Sequence, residues 1–155
     1  MAVSIKAIKD LREQTGVSVA QCKSALEEAG GDMAKALELL RAKGAAIAEK
    51  KSGRGLGAGI IGAYVHSDGS FGALVELACE TDFVAKNKEF VALANDLAMQ
   101  VSAFSPVDQA ALLELPFIKD QSLTVDAAIK SRVQKFGERI ELIRFVRIAV
   151  GVASN

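Results

Sequence analysis

His66, Ser67 and Asp68 stand side by side, and an imidazole beside a hydroxyl and a carboxylate is the residue set of nucleophilic catalysis. Neighbouring residues in an extended hairpin point apart, however, whereas a triad needs side chains that converge from separate parts of a fold. His66, the single histidine, is therefore expected as an exposed residue flanking a turn. Gly57-Ala58-Gly59-Ile60-Ile61-Gly62 fits G-x-G-x-x-G letter for letter. A polar segment precedes it and a β-rich one follows, so the helix N-terminus that would face a pyrophosphate is missing, and a strand entry is expected. Cys22 and Cys79 form neither a CxxC pair nor a zinc knuckle, and both are expected to be reduced, buried small hydrophobes. With no Walker loop, paired carboxylates or ligand cluster, no catalytic residue, metal or cofactor is expected.

The segment Glu80-Thr81-Asp82-Phe83-Val84-Ala85-Lys86-Asn87 carries more information. It puts an acid and an aromatic in the first turn of a helix at the end of a strand, where a rigid scaffold can project them. Spacing favours a plainer role: Asp82 caps the helix, and Phe83 begins a stripe continued seven residues apart by Phe90, Leu97 and Phe104. Both readings stand on the residues alone.

The elements that must position this segment follow from caps and periodicity. Ser4 precedes Ile5, Ile8 and Leu11 and predicts a helix stopping near Gly16. Ser18 with Gln21 reads as a capping box before Cys22, Ala25, Leu26 and Ala29, ending at Gly30-Gly31. Asp32 caps a third helix with Met33, Ala36, Leu37 and Leu40 inward and Gly44 as its stop. A helix tail and a polar, Gly-rich linker run to about Gly59. Asp68-Gly69 between β-rich runs predicts a hairpin, followed by one long helix from Thr81 or Asp82 that Pro106 ends. After an irregular stretch, Thr124 opens a helix closing at Gly137, and Ile140, Leu142, Phe145, Ile148 and Val150 mark a last strand whose broken alternation calls for a bulge or a two-sided environment. The fold class is α+β: a three-helix bundle over 1–45, a linker over 46–58, and an antiparallel-sheet core packed with helices over 59–155.

The chain has 155 residues, half of them hydrophobic, with 19 basic and 19 acidic side chains. A balanced charge offers no broad basic field for a phosphate backbone, which disfavours direct nucleic-acid binding. No apolar run approaches the roughly 20 residues of a membrane helix, and the N-terminus lacks a signal-peptide core, so a cytoplasmic protein without a membrane partner is expected.

Cys79-Glu80-Thr81-Asp82-Phe83-Val84-Ala85 resembles the signature of translation elongation factor Ts. Leu11-Arg12-Glu13-Gln14-Thr15-Gly16, Cys22-Lys23-Ser24-Ala25-Leu26, Gly31-Asp32 and Lys35-Ala36 are similar to that family's N-terminal ubiquitin-associated-like module. The likeness continues through Pro116-Phe117-Ile118-Lys119-Asp120, Gly137-Glu138 and Arg144-Phe145-Val146-Arg147.

The resemblance implies a non-catalytic factor that grips the GTPase elongation factor Tu with both parts and promotes GDP release. Thr81, Asp82, Phe83 and Val84 would meet the GTPase, with Asp82 and Phe83 intruding beside the nucleotide and its Mg²⁺; Leu11, Val19 and Ala20 would be contacts of the N-terminal module. The family often has Met where Val19-Ala20 stand, which lessens the adaptable apolar area there. A single hairpin-plus-helix core resembles short members of the family, implying a homodimer, for which Ile140, Leu142 and Phe145 are the candidate interface. The competing class is an adaptor that binds through the helical module without accelerating release; a small-molecule enzyme is third.

Overall fold

The computed structural model describes residues 2–152, which form two compact units: residues up to Gly53 together with Lys130–Gly137, and Arg54–Ile129 together with the chain from Glu138 onward.

The first unit is built on α1 (Ile5–Thr15), α2 (Val19–Glu28) and α3 (Met33–Lys51). Each starts at the residue its sequence announces. The side chains of Ser4, Ser18 and Asp32 accept from the backbone N–H groups of Ala7, Gln21 and Lys35, satisfying donors that a helix leaves unpaired. Leu11, Val17, Cys22, Ala25, Leu26, Ala36 and Leu40 make its buried core. The expected stop at Gly44 is not found, because α3 runs on to Lys51. Gly44 is buried and a Cβ there would lie 2.8 Å from Gln134 Oε1, so its glycine serves close packing. The Ala-rich residues that follow are strong helix formers and outweigh the roughly 1 kcal/mol that an interior glycine costs.

The second unit begins with β1 (Ala58–Val65) and β2 (Phe71–Cys79), paired antiparallel about the predicted turn. Gly69 there has φ +73°, and Asp68 Oδ1 accepts from the N–H and hydroxyl of Ser70. β5 (Glu141–Ala149) pairs antiparallel with β2 and completes a three-stranded sheet in the order β1-β2-β5. Its register jumps from Glu76↔Arg144 to Leu77↔Leu142. Ile143 is thus the extra residue of a bulge, and the slip lets Leu142 and Phe145, three apart, face the same side.

That side is covered by α5 (Lys88–Phe104), which packs on β1, β2 and β5. Val75, Leu77, Phe90, Leu93, Leu97 and Val101 are buried there. Contact is close enough that a Cβ on Gly62 would lie 2.3 Å from Ala94 O. Buried Gln100 ties α5 to the following chain, donating to Pro116 O at 2.8 Å and accepting from Ile118 N–H at 3.0 Å. The stretch expected to be irregular holds α6 (Gln109–Glu114) and a small hairpin of β3 (Pro116–Phe117) and β4 (Asp120–Thr124). α7 (Val125–Phe136) follows, with Thr124 Oγ1 accepting from Ala127 N–H, and ends before Gly137 at φ +71°.

The long helix predicted from Thr81 to Phe104 is two. A single turn, α4 (Asp82–Ala85), ends at Lys86, and Asn87 caps α5 by accepting from Glu89 N–H at 2.9 Å. The chain leaves α5 through Ser105 at φ +46°, ahead of Pro106.

Candidate functional site

The Asp82-Phe83 turn sits where β2 ends. Thr81 is its N-cap, with Oγ1 accepting from Val84 N–H at 3.5 Å. Because the chain breaks at Lys86-Asn87 before α5 starts, Phe83 drops out of the seven-residue stripe. It is 85% exposed, whereas Phe90 and Leu97 are fully buried. Spacing favoured a core role for Phe83; the extra cap between the two helices overrides it. Asp82 is exposed beside it, and Val84 and Ala85 turn inward to anchor the turn.

A carboxylate far along the chain holds this turn. Glu138 Oε1 accepts from the backbone N–H groups of Glu80 at 3.1 Å and Thr81 at 3.0 Å, and Oε2 accepts from the Thr81 hydroxyl at 2.6 Å. The Glu80 side chain answers in the other direction, with Oε2 accepting from Arg139 N–H and Oε1 lying 3.5 Å from the Arg54 guanidinium. Arg139 also donates to Arg54 O and pairs with Glu141. Only the likeness at Gly137-Glu138 drew attention to this residue in the sequence; its role depends on a contact across 58 positions that spacing does not reveal.

Beneath the turn, Cys79 is buried and its thiol donates to Thr81 O at 3.2 Å. Burial pushes that thiol's pKa up, and the nearby Glu138 carboxylate adds to the rise.

Several side chains expected at an interface are instead used inside the chain. Leu11 is fully buried in the helical core and Val84 in the sheet unit, so neither side chain offers surface to a partner. Val19 and Ala20, at the start of α2, are exposed. Ile140 and Leu142 are buried, which takes two of the three candidate dimer side chains off the surface, and Phe145, opposite Val75, is half-buried. The bulge at Ile143 is the reason: it turns Leu142 and Phe145 toward α5 and leaves Arg144, Val146 and Ile148 on the other face. There Ile61, Val65, Leu74, Val146, Ile148 and Val150 are exposed, with Val65 71% and Ile148 68% accessible. All of these but Ile61 border a shallow depression of about 260 Å³ on the sheet. Glu76 and Arg144 form an ion pair on this face at 2.7 Å.

The other chemistry-bearing residues find structural roles. His66 is half-buried, not exposed: its ring stacks on Phe71 at 4.5 Å and its Nδ1 lies 3.2 Å from Tyr64 Oη. Asp68 is committed to Ser70, so no triad assembles. Gly59 and Gly62 belong to β1, where Cβ atoms would strike Leu77 O and Ala94 O; they permit close backbone approach and cradle no phosphate. Among the described residues no group of three or more His, Cys, Asp or Glu could hold a metal, and no helix is long and apolar enough to cross a membrane.

The chain is 38% identical over 194 aligned residues to the Elongation factor Ts of Desulforamulus reducens, an alignment covering 96% of this chain and 89% of that one. The chain belongs to the elongation factor Ts family. It is also 40% identical over 194 residues to the Elongation factor Ts of Thermotoga maritima, covering 97% of this chain and 98% of the relative. That of Clostridium kluyveri is 43% identical over 148 residues, covering 96% of this chain and 48% of the relative. The sequence model of the family Elongation factor TS matches residues 80–155, a span that opens at the Glu80-Thr81-Asp82-Phe83 turn. Membership places the chain among the translation elongation factors.

Proposed function

We propose that this chain is a guanine-nucleotide exchange factor for elongation factor Tu, and that Asp82 and Phe83 are the groups it inserts beside the nucleotide. The observation that carries this reading is an aromatic side chain 85% exposed on a turn whose base is fixed by three hydrogen bonds. Exposure of one aromatic needs no partner by itself, but a rigid support lets that side chain be presented to one in a fixed direction. Entry of Phe83 and Asp82 displaces partner elements that hold Mg²⁺ and the phosphates, and GDP loses part of its electrostatic clamp. Binding free energies must be reciprocal: a factor that weakens GDP by some ratio is itself weakened by GDP in the same ratio. Val19 and Ala20 on α2 supply a second contact, adding affinity without taking part in release. Release of a fluorescent GDP analogue from elongation factor Tu, followed by stopped flow with substoichiometric factor, tests this. Acceleration is expected, and binding without acceleration favours an adaptor.

The functional unit in this reading is a homodimer joined through the outer face of the β1-β2-β5 sheet. Ile61, Val65, Leu74, Val146 and Ile148 provide its apolar area, and Glu76 and Arg144 give it opposite charges that a two-fold axis can exchange between copies. Sedimentation over a dilution series measures this directly; a monomer with full exchange activity at micromolar concentration excludes it.

A further inference from the structure

The exchange reading names the side chains that enter the partner and leaves open what aims them. α4 has only four residues, too few to hold a helical direction by their own hydrogen bonds. Its orientation is therefore imposed from outside, and Glu138 makes the contacts that can impose it. One carboxylate oxygen gathers the N–H groups of Glu80 and Thr81, fixing two consecutive peptide planes as the chain leaves β2. The other accepts a hydrogen bond from the Thr81 hydroxyl, oxygen to oxygen 2.6 Å, which leaves the hydroxyl oxygen's lone pairs to accept from Val84 N–H. The carboxylate thus orients the cap, the cap orients the turn, and the turn carries Phe83. The return contact from Glu80 to Arg139 N–H holds the segment bearing Glu138, so the two ends brace each other. Hydrogen bonds to an ionised carboxylate are the stronger kind, and this one accepts three.

Resting on the exchange reading, we infer that Glu138 is a positioning residue for nucleotide release: it touches neither partner nor nucleotide and acts by holding the Asp82-Phe83 turn in its projecting orientation. In enzymes, misplacing a reacting group by about 1 Å can cost on the order of a hundredfold in rate, and the side chains that enter the partner are taken to be as sensitive to placement. Glu138→Ala is accordingly expected to lower the maximal GDP-release rate about tenfold to a hundredfold, with a smaller change in the concentration giving half-maximal effect.

The test compares the full-length protein with Glu138→Ala, Glu138→Gln, Phe83→Ala and the double variant Glu138→Ala/Phe83→Ala in stopped-flow GDP release, alongside amide hydrogen exchange of each free protein. Glutamine keeps an acceptor oxygen for the two backbone N–H groups and should restore most of the rate. The alanine change should add less once Phe83 is gone, because only Asp82 then remains to be aimed. In the free Glu138→Ala protein, amides of residues 80–86 should exchange faster while those of β1 and α5 keep their protection. A wild-type release rate in Glu138→Ala, an effect additive with Phe83→Ala, or lost protection throughout the sheet unit overturns the inference. Failure of the unmodified protein to accelerate release sinks the exchange reading instead, and the amide-exchange comparison then still decides whether Glu138 orders the turn.

Discussion

Phe83 and Phe90 lie seven residues apart, two helical turns in an unbroken helix, yet Phe83 is 85% exposed and Phe90 fully buried. Asn87 separates them by starting a new helix. Truncating each therefore has opposite consequences. Phe83→Ala should leave the unfolding midpoint within about 0.5 kcal/mol of the parent while greatly slowing GDP release from elongation factor Tu. Phe90→Ala should cost roughly 3–5 kcal/mol of stability in a denaturant titration. A Phe83→Ala protein that melts early yet still exchanges nucleotide would return Phe83 to the core.

Gly62 faces Ala94 with space for hydrogen alone, since a Cβ would sit 2.3 Å from the Ala94 carbonyl oxygen. That oxygen belongs to the backbone of α5 and cannot rotate away. Gly62→Ala should push α5 off the sheet and destabilise the protein by about 1–3 kcal/mol, read as a lower urea midpoint. An unchanged midpoint would mean the helix and sheet can separate freely.

The two faces of β5 should respond differently to charge. Ile148→Asp changes an exposed residue and should dissociate a dimer formed through the outer sheet face while leaving the melting temperature of the monomer nearly unaltered. Leu142→Asp places a carboxylate in the core beneath α5 and should unfold the sheet unit. Sedimentation paired with circular dichroism separates these outcomes. If Ile148→Asp leaves the association state untouched, that face is not where two copies meet.

Ser105 ends α5 in the left-handed region at φ +46°, a conformation that disfavours side chains with a Cβ. Ser105→Gly removes that strain at an exposed position and should stabilise the protein by about 0.5–1 kcal/mol. Thermal unfolding provides the check, and a lower melting temperature would show that the serine side chain contributes more than its strain costs.

Cys79 should label slowly with iodoacetamide at pH 8 in the folded state, because burial and the Glu138 charge raise its pKa above the ordinary 9.0. The folded form holds the proton more tightly than the unfolded one. Stability from this difference is fully present below the unfolded thiol's value and declines as pH rises toward and through the folded value. Cys22 is raised as well, chiefly by burial, so both should gain reactivity together with unfolding. Rapid labelling of Cys79 in native protein at pH 8 would contradict the closed packing around it.

Much of the chain's local structure is legible in its sequence because the deciding groups are close together. Ser4, Ser18, Asp32 and Thr124 each satisfy a backbone donor three residues away, and Asp68-Gly69 closes its turn within four residues. The broken alternation around Arg144 likewise foretells a bulge, and the Glu80 to Ala85 motif marks the site and its family. Tertiary structure decided what each element does with its surface. Periodicity alone continues α5 back to Phe83 and stops α3 at Gly44, since neither the exit of the chain from β2 nor the packing of Gln134 against Gly44 appears in a window of a few turns. Burial of Leu142 instead of Ile148 depends on which residue of β5 the bulge skips, a choice made by pairing with β2. The hold of Glu138 on Thr81 joins residues 57 positions apart, and only a folded chain brings them within hydrogen-bonding distance.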